Sequence, residues 1–388
     1  MDGGITLTFA AIFLGAALFA SLALFSRQPI IIAYIALGMA LGPFGLEIVN
    51  DLDVVADAGH IGIIFLLFLL GLDMQPRALF SSLKNASLVA LISSAIFGTA
   101  SALVSYLMGF TLLESAVIGA AMMFSSTIIG IKLLPTTVLH HKHLGEMLIA
   151  LLLLQDLLAI VVLIVLQSAA QEPGDWQAIV QPLLLLPLLA GACWAVVRWL
   201  LLPLIARFDR YHEYIFLVSI GWCLGIAEGA ATLGLSAEIG AFVAGVSIAT
   251  SPIAQYIALN LKPLRDFFLV IFFFSIGAQI DLGMLPSVLL PAAGLATLLL
   301  AGKPIVYHAL LRGVSERNDL SWNLGFRLGQ ASEFALLIAM VAVSGGFLGH
   351  AASTFIQATT IITLLASSYI VVLNFPTPIA ISDRLRRD

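Results

Sequence analysis

The sequence predicts an all-α polytopic membrane protein built as an inverted repeat, and three observations predict it. Of 388 residues, 61% are hydrophobic and only 10% are charged, with a mean hydropathy of +1.09; a soluble domain carries roughly a quarter charged residues. Apolar stretches of about 20 residues recur from end to end, each long enough to cross about 30 Å of hydrocarbon as a helix. Three motifs return after 206 or 207 residues.

The elements follow in order. The start, MDGGITLTF, is acidic and lacks the basic segment of a secretory signal, so residues 6–26 read as a retained span. The second and third spans, 29–47 and 58–75, flank a loop holding Asp51, Asp53 and Asp57. Spans at 85–108 and 114–135 follow, the latter interrupted by FSST (124–127). The sixth, 144–169, contains LLLLQDLLAI, where Gln155 and Asp156 stand alone in an apolar run. Residues 178–206 form a connector. The second half holds spans at 213–233, 236–254, 264–280, 284–311 (with Lys303), 321–344 (interrupted by GQASE, 329–333) and 350–374. That makes about thirteen transmembrane helices in one transport domain, residues 1–383. Both cysteines, Cys193 and Cys223, lie in apolar stretches and give no metal spacing or disulfide framework.

The distribution of basic residues tests this count. With the N-terminus outside, the loops holding Arg27, Arg77 with Lys84, Lys142, Arg207 with Arg210, Lys262 with Arg265, and Arg312 with Arg317 all fall inside. The tail 384–388, with Arg384, Arg386 and Arg387, does too. The outer loops hold Asp51, Asp53, Asp57, Glu114, Glu172 and Asp175, and no Lys or Arg.

Internal symmetry points to where a transporter binds its substrate. FLLFLLGLDMQPRAL (65–79) is similar to IFFFSIGAQIDLGML (271–285). Gly38 in IAYIALGMALGP pairs with Gly245 in IGAFVAGVSIATSP, and Ser125 pairs with Ala331. Seven spans separate the partners, so the halves insert in opposite orientation: repeat one is 6–169, repeat two 213–374. The fifth and twelfth spans are repeat partners, and both carry a polar interruption. Unwound backbone at membrane depth must line a protein-enclosed, hydrated cavity, and the half-helix ends there supply partial charges and free carbonyls to ions. Packing of small residues with back-bonded hydroxyls is the alternative account of Ser125, Ser126 and Thr127.

Asp156 lies about 18 Å into its span at 1.5 Å per residue, close to the midplane, where an ionisable residue is a functional hypothesis by default. Such a carboxylate can hold a proton at one membrane face and exchange it for a cation at the other. Gln155 offers an amide oxygen to a dehydrated cation, or a hydrogen bond that fixes the aspartate. Its repeat partners are Ile361 and Ile362, so the carboxylate is an addition to the symmetric scaffold. A protonated structural aspartate is the alternative. Lys303 needs a partner, either a carboxylate or a helix end. Glu333 sits at the second break, where with Gln330 and Ser332 it offsets half-helix charge. Arg327, nearer the cytoplasmic face, is within reach of snorkelling and reads as a structural charge, not as part of the transport path.

These residues resemble the monovalent cation:proton antiporter-2 family, especially Kef-type potassium/proton systems. The resemblance covers essentially the whole chain. It rests on SSTIIG (125–130), LLLQDLLAI (152–160), AFVAGVSIA (241–249), FFFSIGAQIDL (272–282), Lys303 in AGKP, and GQASEF (329–334). It implies a homodimer of the sodium/proton-antiporter fold in a bacterial inner membrane. Spans 1–3 and 8–10 would form the dimer domain, and spans 4–6 and 11–13 a core moving like an elevator. It also implies that Gln155–Asp156 belongs to the potassium-handling branch. One shared carboxylate implies one-for-one, electroneutral exchange. Two departures stand out. The sequence stops at SDRLRRD, where Kef systems continue into a nucleotide-binding regulatory domain, which leaves open a shortened chain, a stand-alone transporter or a separate regulatory subunit. QYIALNLKPLRD (255–266) lacks their acidic stretch, so regulation by glutathione or nucleotide is not expected. No cofactor, nucleic acid or enzyme activity is expected. NDLDVVAD (50–57), the one aspartate-rich cluster, has no second cluster to share magnesium-pyrophosphate. A sodium/proton antiporter and a ligand-gated potassium channel are the rival functions.

Overall fold

A computed structural model describes residues 5–26, 28, 30–49, 53–73, 76–134, 143–171, 176–208 and 210–377. Lys142, Glu172, Asp175 and the tail beyond 377 lie outside the described residues. A helix or a pair of half-helices overlaps each expected segment, with bounds that differ at several of them. The first four are α1 (Ile5–Phe25), α2 (Ile30–Leu41), α3 (Asp53–Asp73) and α4 (Pro76–Leu107). The fifth is divided into α5 (Leu112–Met122) and α6 (Thr127–Lys132), and α7 (His143–Gln171) carries Gln155 and Asp156.

The connector is α8 (Trp176–Val196), which runs through a wide π turn at Val197–Leu201 into α9 (Leu202–Arg207). Pro203 explains the widening: it lacks an N–H, and its ring crowds the carbonyl one turn back. Then come α10 (His212–Thr232), α11 (Ala237–Ala249), α12 (Ala254–Ala278) and α13 (Leu285–Gly313). The twelfth span is α14 (Asn318–Arg327) and α15 (Phe334–Ser344), and the last is α16 (His350–Asn374).

Eight of the described helical stretches are long and apolar enough to cross a membrane alone: α1, α3, α4, α7, the α8–α9 run, α10, α13 and α16. The rest fall short for local reasons. α2, α5, α11 and α15 have 11 to 13 residues, and α12 carries Lys262, Arg265 and Asp266 toward its middle.

The chain divides into two compact units. The first comprises residues up to Phe13, Val49–Ala78 and Ile164–Ser275. Its core joins Phe65, Phe68 and Leu72 of α3 to Ala241, Ala244 and Ile248 of α11 and Cys223 of α10. α3 and α11 touch backbone to backbone. A Cβ on Gly245 would lie 2.1 Å from the Phe68 carbonyl oxygen, and one on Gly71 2.4 Å from that of Phe242. Small residues permit such approach where lipid offers helices no hydrophobic drive to associate. Gly245→Ala therefore forces the helices apart, at roughly 3 kcal/mol, the upper end of ordinary overpacking. The check is a lower thermal unfolding midpoint in detergent; an unchanged midpoint would refute the close crossing.

The second unit comprises Leu14–Ile48, Leu79–Leu163 and Ile276 onward. Its core includes Val89 and Phe97 of α4, Leu148 and Leu152 of α7, Tyr307 and Leu311 of α13, and Leu324 of α14. Glu114 anchors α5: with Thr111 it closes a capping box, and its other oxygen accepts from Gly349 N (3.3 Å) just before α16. Arg327 does not snorkel. It is 2% exposed, and its guanidinium donates to Leu133 O at the end of α6 (2.7 Å), Pro376 O beyond α16 (2.7 Å) and Asn323 Oδ1 (2.7 Å). These oxygens supply what water would otherwise give it.

Candidate functional site

The site lies wholly within the second unit, where the unwound stretches 123–126 and 328–333 meet α7 and α13. Both stretches begin where a half-helix stops. α5 ends at Met122 and α14 at Arg327, and the chain restarts as α6 at Thr127 and α15 at Phe334. Ser126 caps α6, its Oγ accepting from Ile129 N (3.2 Å). Ser332 Oγ accepts from Phe334 N (3.2 Å) at the start of α15. A serine hydroxyl at a helix start competes with helical bonding just before it, which is why each short polar motif interrupts an otherwise apolar helix.

Lys303 binds both interruptions. Its Nζ donates to Phe124 O (2.6 Å) in the first and Gln330 O (2.9 Å) in the second, with Ser125 Oγ at 3.4 Å. It is fully buried, with the Phe97 ring centroid 5.5 Å away. Of the two expected partners, the structure gives the helix end: a cation meets the carbonyl-rich ends of α5 and α14, where the helix dipoles place negative charge. Gly325 lets α14 approach this turn of α13, since a Cβ there would lie 2.7 Å from Pro304 O.

Asp156 sits at the opposite kind of end. It is 1% exposed, and Thr127 Oγ1, at the first residue of α6, donates to its carboxylate (2.9 Å to Oδ2, 3.2 Å to Oδ1). Glu333 is buried at the cap position of α15 and interacts electrostatically with Asp156. Each carboxylate thus lies beside a positive half-helix start, while the ammonium lies at the negative ends. This separation lets charged groups occupy a buried position, where isolated charges are costly.

Gln155 faces the first interruption. Its Oε1 accepts from Ser125 N (3.0 Å) and its Nε2 donates to Tyr307 OH. With both ends of the amide engaged, it clamps the unwound strand in this conformation. Ser125 Oγ donates to Leu328 O (2.8 Å), and Gln330 Nε2 approaches Ser126 O (3.4 Å), so the two strands are bonded to each other.

All nine residues singled out in the sequence are thus placed at one locus. Three contributors went unnoticed. Tyr307 orients the Gln155 amide, and the available signal was its spacing: it lies one turn beyond Lys303, on the same helix face. Thr363 Oγ1 accepts from Ala331 N (3.0 Å), and Ser367 Oγ donates to Gln330 Oε1 (2.9 Å). Their signal was the spacing Thr360, Thr363, Ser367 on α16, one polar stripe at helical period.

Chemically, the arrangement offers the Asp156 carboxylate with the buried Glu333 interacting beside it, a hydroxyl and nearby backbone oxygens. That is a hard, oxygen-only set suited to a proton or an alkali cation.

Comparison with known proteins gives the family and the fold. The family described as "Sodium/hydrogen exchanger, transmembrane" matches residues 9–373. The iron transporter MagA of Paramagnetospirillum magneticum is 28% identical over 367 residues, covering 94% of this chain and 84% of that protein. A structure of the sodium proton antiporter MjNhaP1 from Methanocaldococcus jannaschii at pH 8 superposes with a TM-score of 0.68 at 20% identity. It covers 93% of this chain and 94% of its own. An electron-microscopy structure of the same antiporter gives a TM-score of 0.62 at 17% identity, with 96% of each chain covered.

Proposed function

Because the chain belongs to the sodium/hydrogen exchanger family, an integral membrane family of cation/proton antiporters, we propose that it exchanges potassium for a proton, one for one, at Asp156. The observation that carries this reading is the buried Asp156 carboxylate, held by Thr127 at the start of a half-helix. A carboxylate there accommodates one positive charge, either a proton or a cation, and alternating access delivers each to the opposite face. Lys303 stays bonded to backbone oxygens and contributes a constant charge, so the two loaded forms are electrically equal. The neutral Gln155 supports potassium, in line with the Kef-type resemblance.

The proposal includes the finer architecture: thirteen spans in two inverted repeats, an elevator-like core, a homodimer, and a bacterial inner membrane with the N-terminus outside. One pair of contacts supports the repeat. Gly71 and Gly277 are repeat partners, and each packs its helix against a backbone: Gly71 against Phe242 O, and Gly277 against Ile35 O, where a Cβ would lie 2.0 Å away. α11, which holds Phe242, and α2, which holds Ile35, are themselves repeat partners.

The name of the curated relative raises iron as a second cargo. Ferrous iron is usually held by histidine together with carboxylate, and the described residues contain no group of three His, Cys, Asp or Glu able to hold a metal ion. The test is dissipation of a pH gradient in proteoliposomes by potassium, sodium or ferrous iron, against N-methylglucamine as a cation that cannot enter. Potassium alone, or potassium in strong preference, is expected. Equal sodium activity would overturn the selectivity, and iron-driven dissipation alone would overturn the proposal.

A further inference from the structure

A third buried carboxylate lies in the first unit. Glu238, in the first turn of α11, is 6% exposed. His60 Nε2, from α3, lies 2.9 Å from its Oε1, and Gln167 Nε2, from α7, 3.4 Å from its Oε2. The Gln167 carbonyl oxygen is buried and has no hydrogen-bond partner among the described residues. A buried amide oxygen without a donor, beside a carboxylate, is an incomplete set of oxygen ligands.

The surroundings are otherwise spare. Asp57, one turn before His60 on α3, acts on the ring, and Ser236 and the α11 backbone act on Glu238. Glu228 on α10, which packs against both helices, is exposed. His60 is itself half-exposed, its side chain at 45%, so a proton on the ring can leave. The three residues come from the start of α3, the start of α11 and the end of α7, which the distribution of basic residues assigns to one outer face. Gln167 is 11 residues beyond Asp156 on the same helix, about 16 Å at 1.5 Å per residue.

We propose that Glu238, Gln167 and His60 form a second, outer cation site, at which a monovalent cation and the His60 proton compete for the Glu238 carboxylate. The charge balance selects the cargo. Imidazolium with carboxylate is neutral; when the proton leaves and one monovalent cation binds Glu238 and the Gln167 oxygen, the site is neutral again. A divalent ion would leave a net positive charge in a poorly solvated place. This inference rests on the antiport reading, to which it adds a staging position of the same stoichiometry.

The test follows the His60 ring by NMR in full-length protein carrying [13C]histidine, with Asp156→Asn removing the inner site. Titrations run in potassium, sodium or N-methylglucamine chloride at matched ionic strength, and His60→Gln assigns the signal. The expected result is a His60 midpoint that falls as potassium or sodium rises, by up to about one pH unit per tenfold increase, the limit for one-for-one competition. Glu238→Gln removes that dependence. A midpoint identical in all three salts overturns the proposal and leaves a structural ion pair. The antiport reading fails separately, by an absence of cation-driven pH dissipation in wild-type proteoliposomes, which does not alter what the His60 titration reports.

Discussion

Asp156→Asn abolishes cation/proton exchange while leaving the protein folded. The amide keeps the shape of the carboxylate, and its oxygen still accepts from Thr127 Oγ1, which lies 2.9 Å from the native Oδ2. What it loses is the ability to take a proton or to neutralise a cation, the one chemical act the proposed mechanism asks of it. The measurement is pH-gradient dissipation in proteoliposomes, with thermal unfolding in detergent alongside. Abolished exchange with an unchanged midpoint is the expected pair of results. Exchange at the wild-type rate would show that Asp156 is structural and would remove the mechanism.

Lys303→Ala has the largest expected effect on stability. It strips the donor from two buried carbonyls, Phe124 O and Gln330 O, at about 1–3 kcal/mol each. It also leaves the negative ends of α5 and α14 facing each other without a cation. Thermal unfolding in detergent should report a loss of several degrees or more, accompanied by lost transport. Lys303→Arg does not restore the wild type, because a planar fork cannot reproduce the point contact of an ammonium with two converging carbonyls. Full stability in the alanine variant would mean that the unwound strands hold each other without the lysine.

Much of this site was legible in the sequence because its chemistry conflicts with its solvent. A carboxylate in LLLLQDLLAI, a lysine in LLLAGKP, and serine-rich interruptions in two apolar spans each violate what a membrane interior favours, so each is visible without structure. Tyr307 was hidden for the opposite reason: a tyrosine in an apolar helix is ordinary packing. The hydroxyls of α16 were obscured because most such groups bond their own helix, as Thr360 does to Ile356 O (2.8 Å). The structural role of Arg327 was legible but its partners were not, because Leu133 and Pro376 are distant in sequence and contribute only backbone oxygens. The approximate positions of the helices followed from hydropathy, but where the half-helices stop depends on serine caps and on contacts between the unwound stretches, which periodicity does not encode.

Lys303 serves two unwound strands about 200 residues apart in sequence with one ammonium group. In evolutionary terms, the strands are no longer free to drift separately. A substitution that shifts the carbonyl of Phe124 alters the geometry available to the carbonyl of Gln330, so changes in one segment are tolerated or rejected according to the state of the other. Effects of paired substitutions across the two segments are then non-additive. Divergence here proceeds by compensated steps, and the lysine is the residue through which compensation must pass.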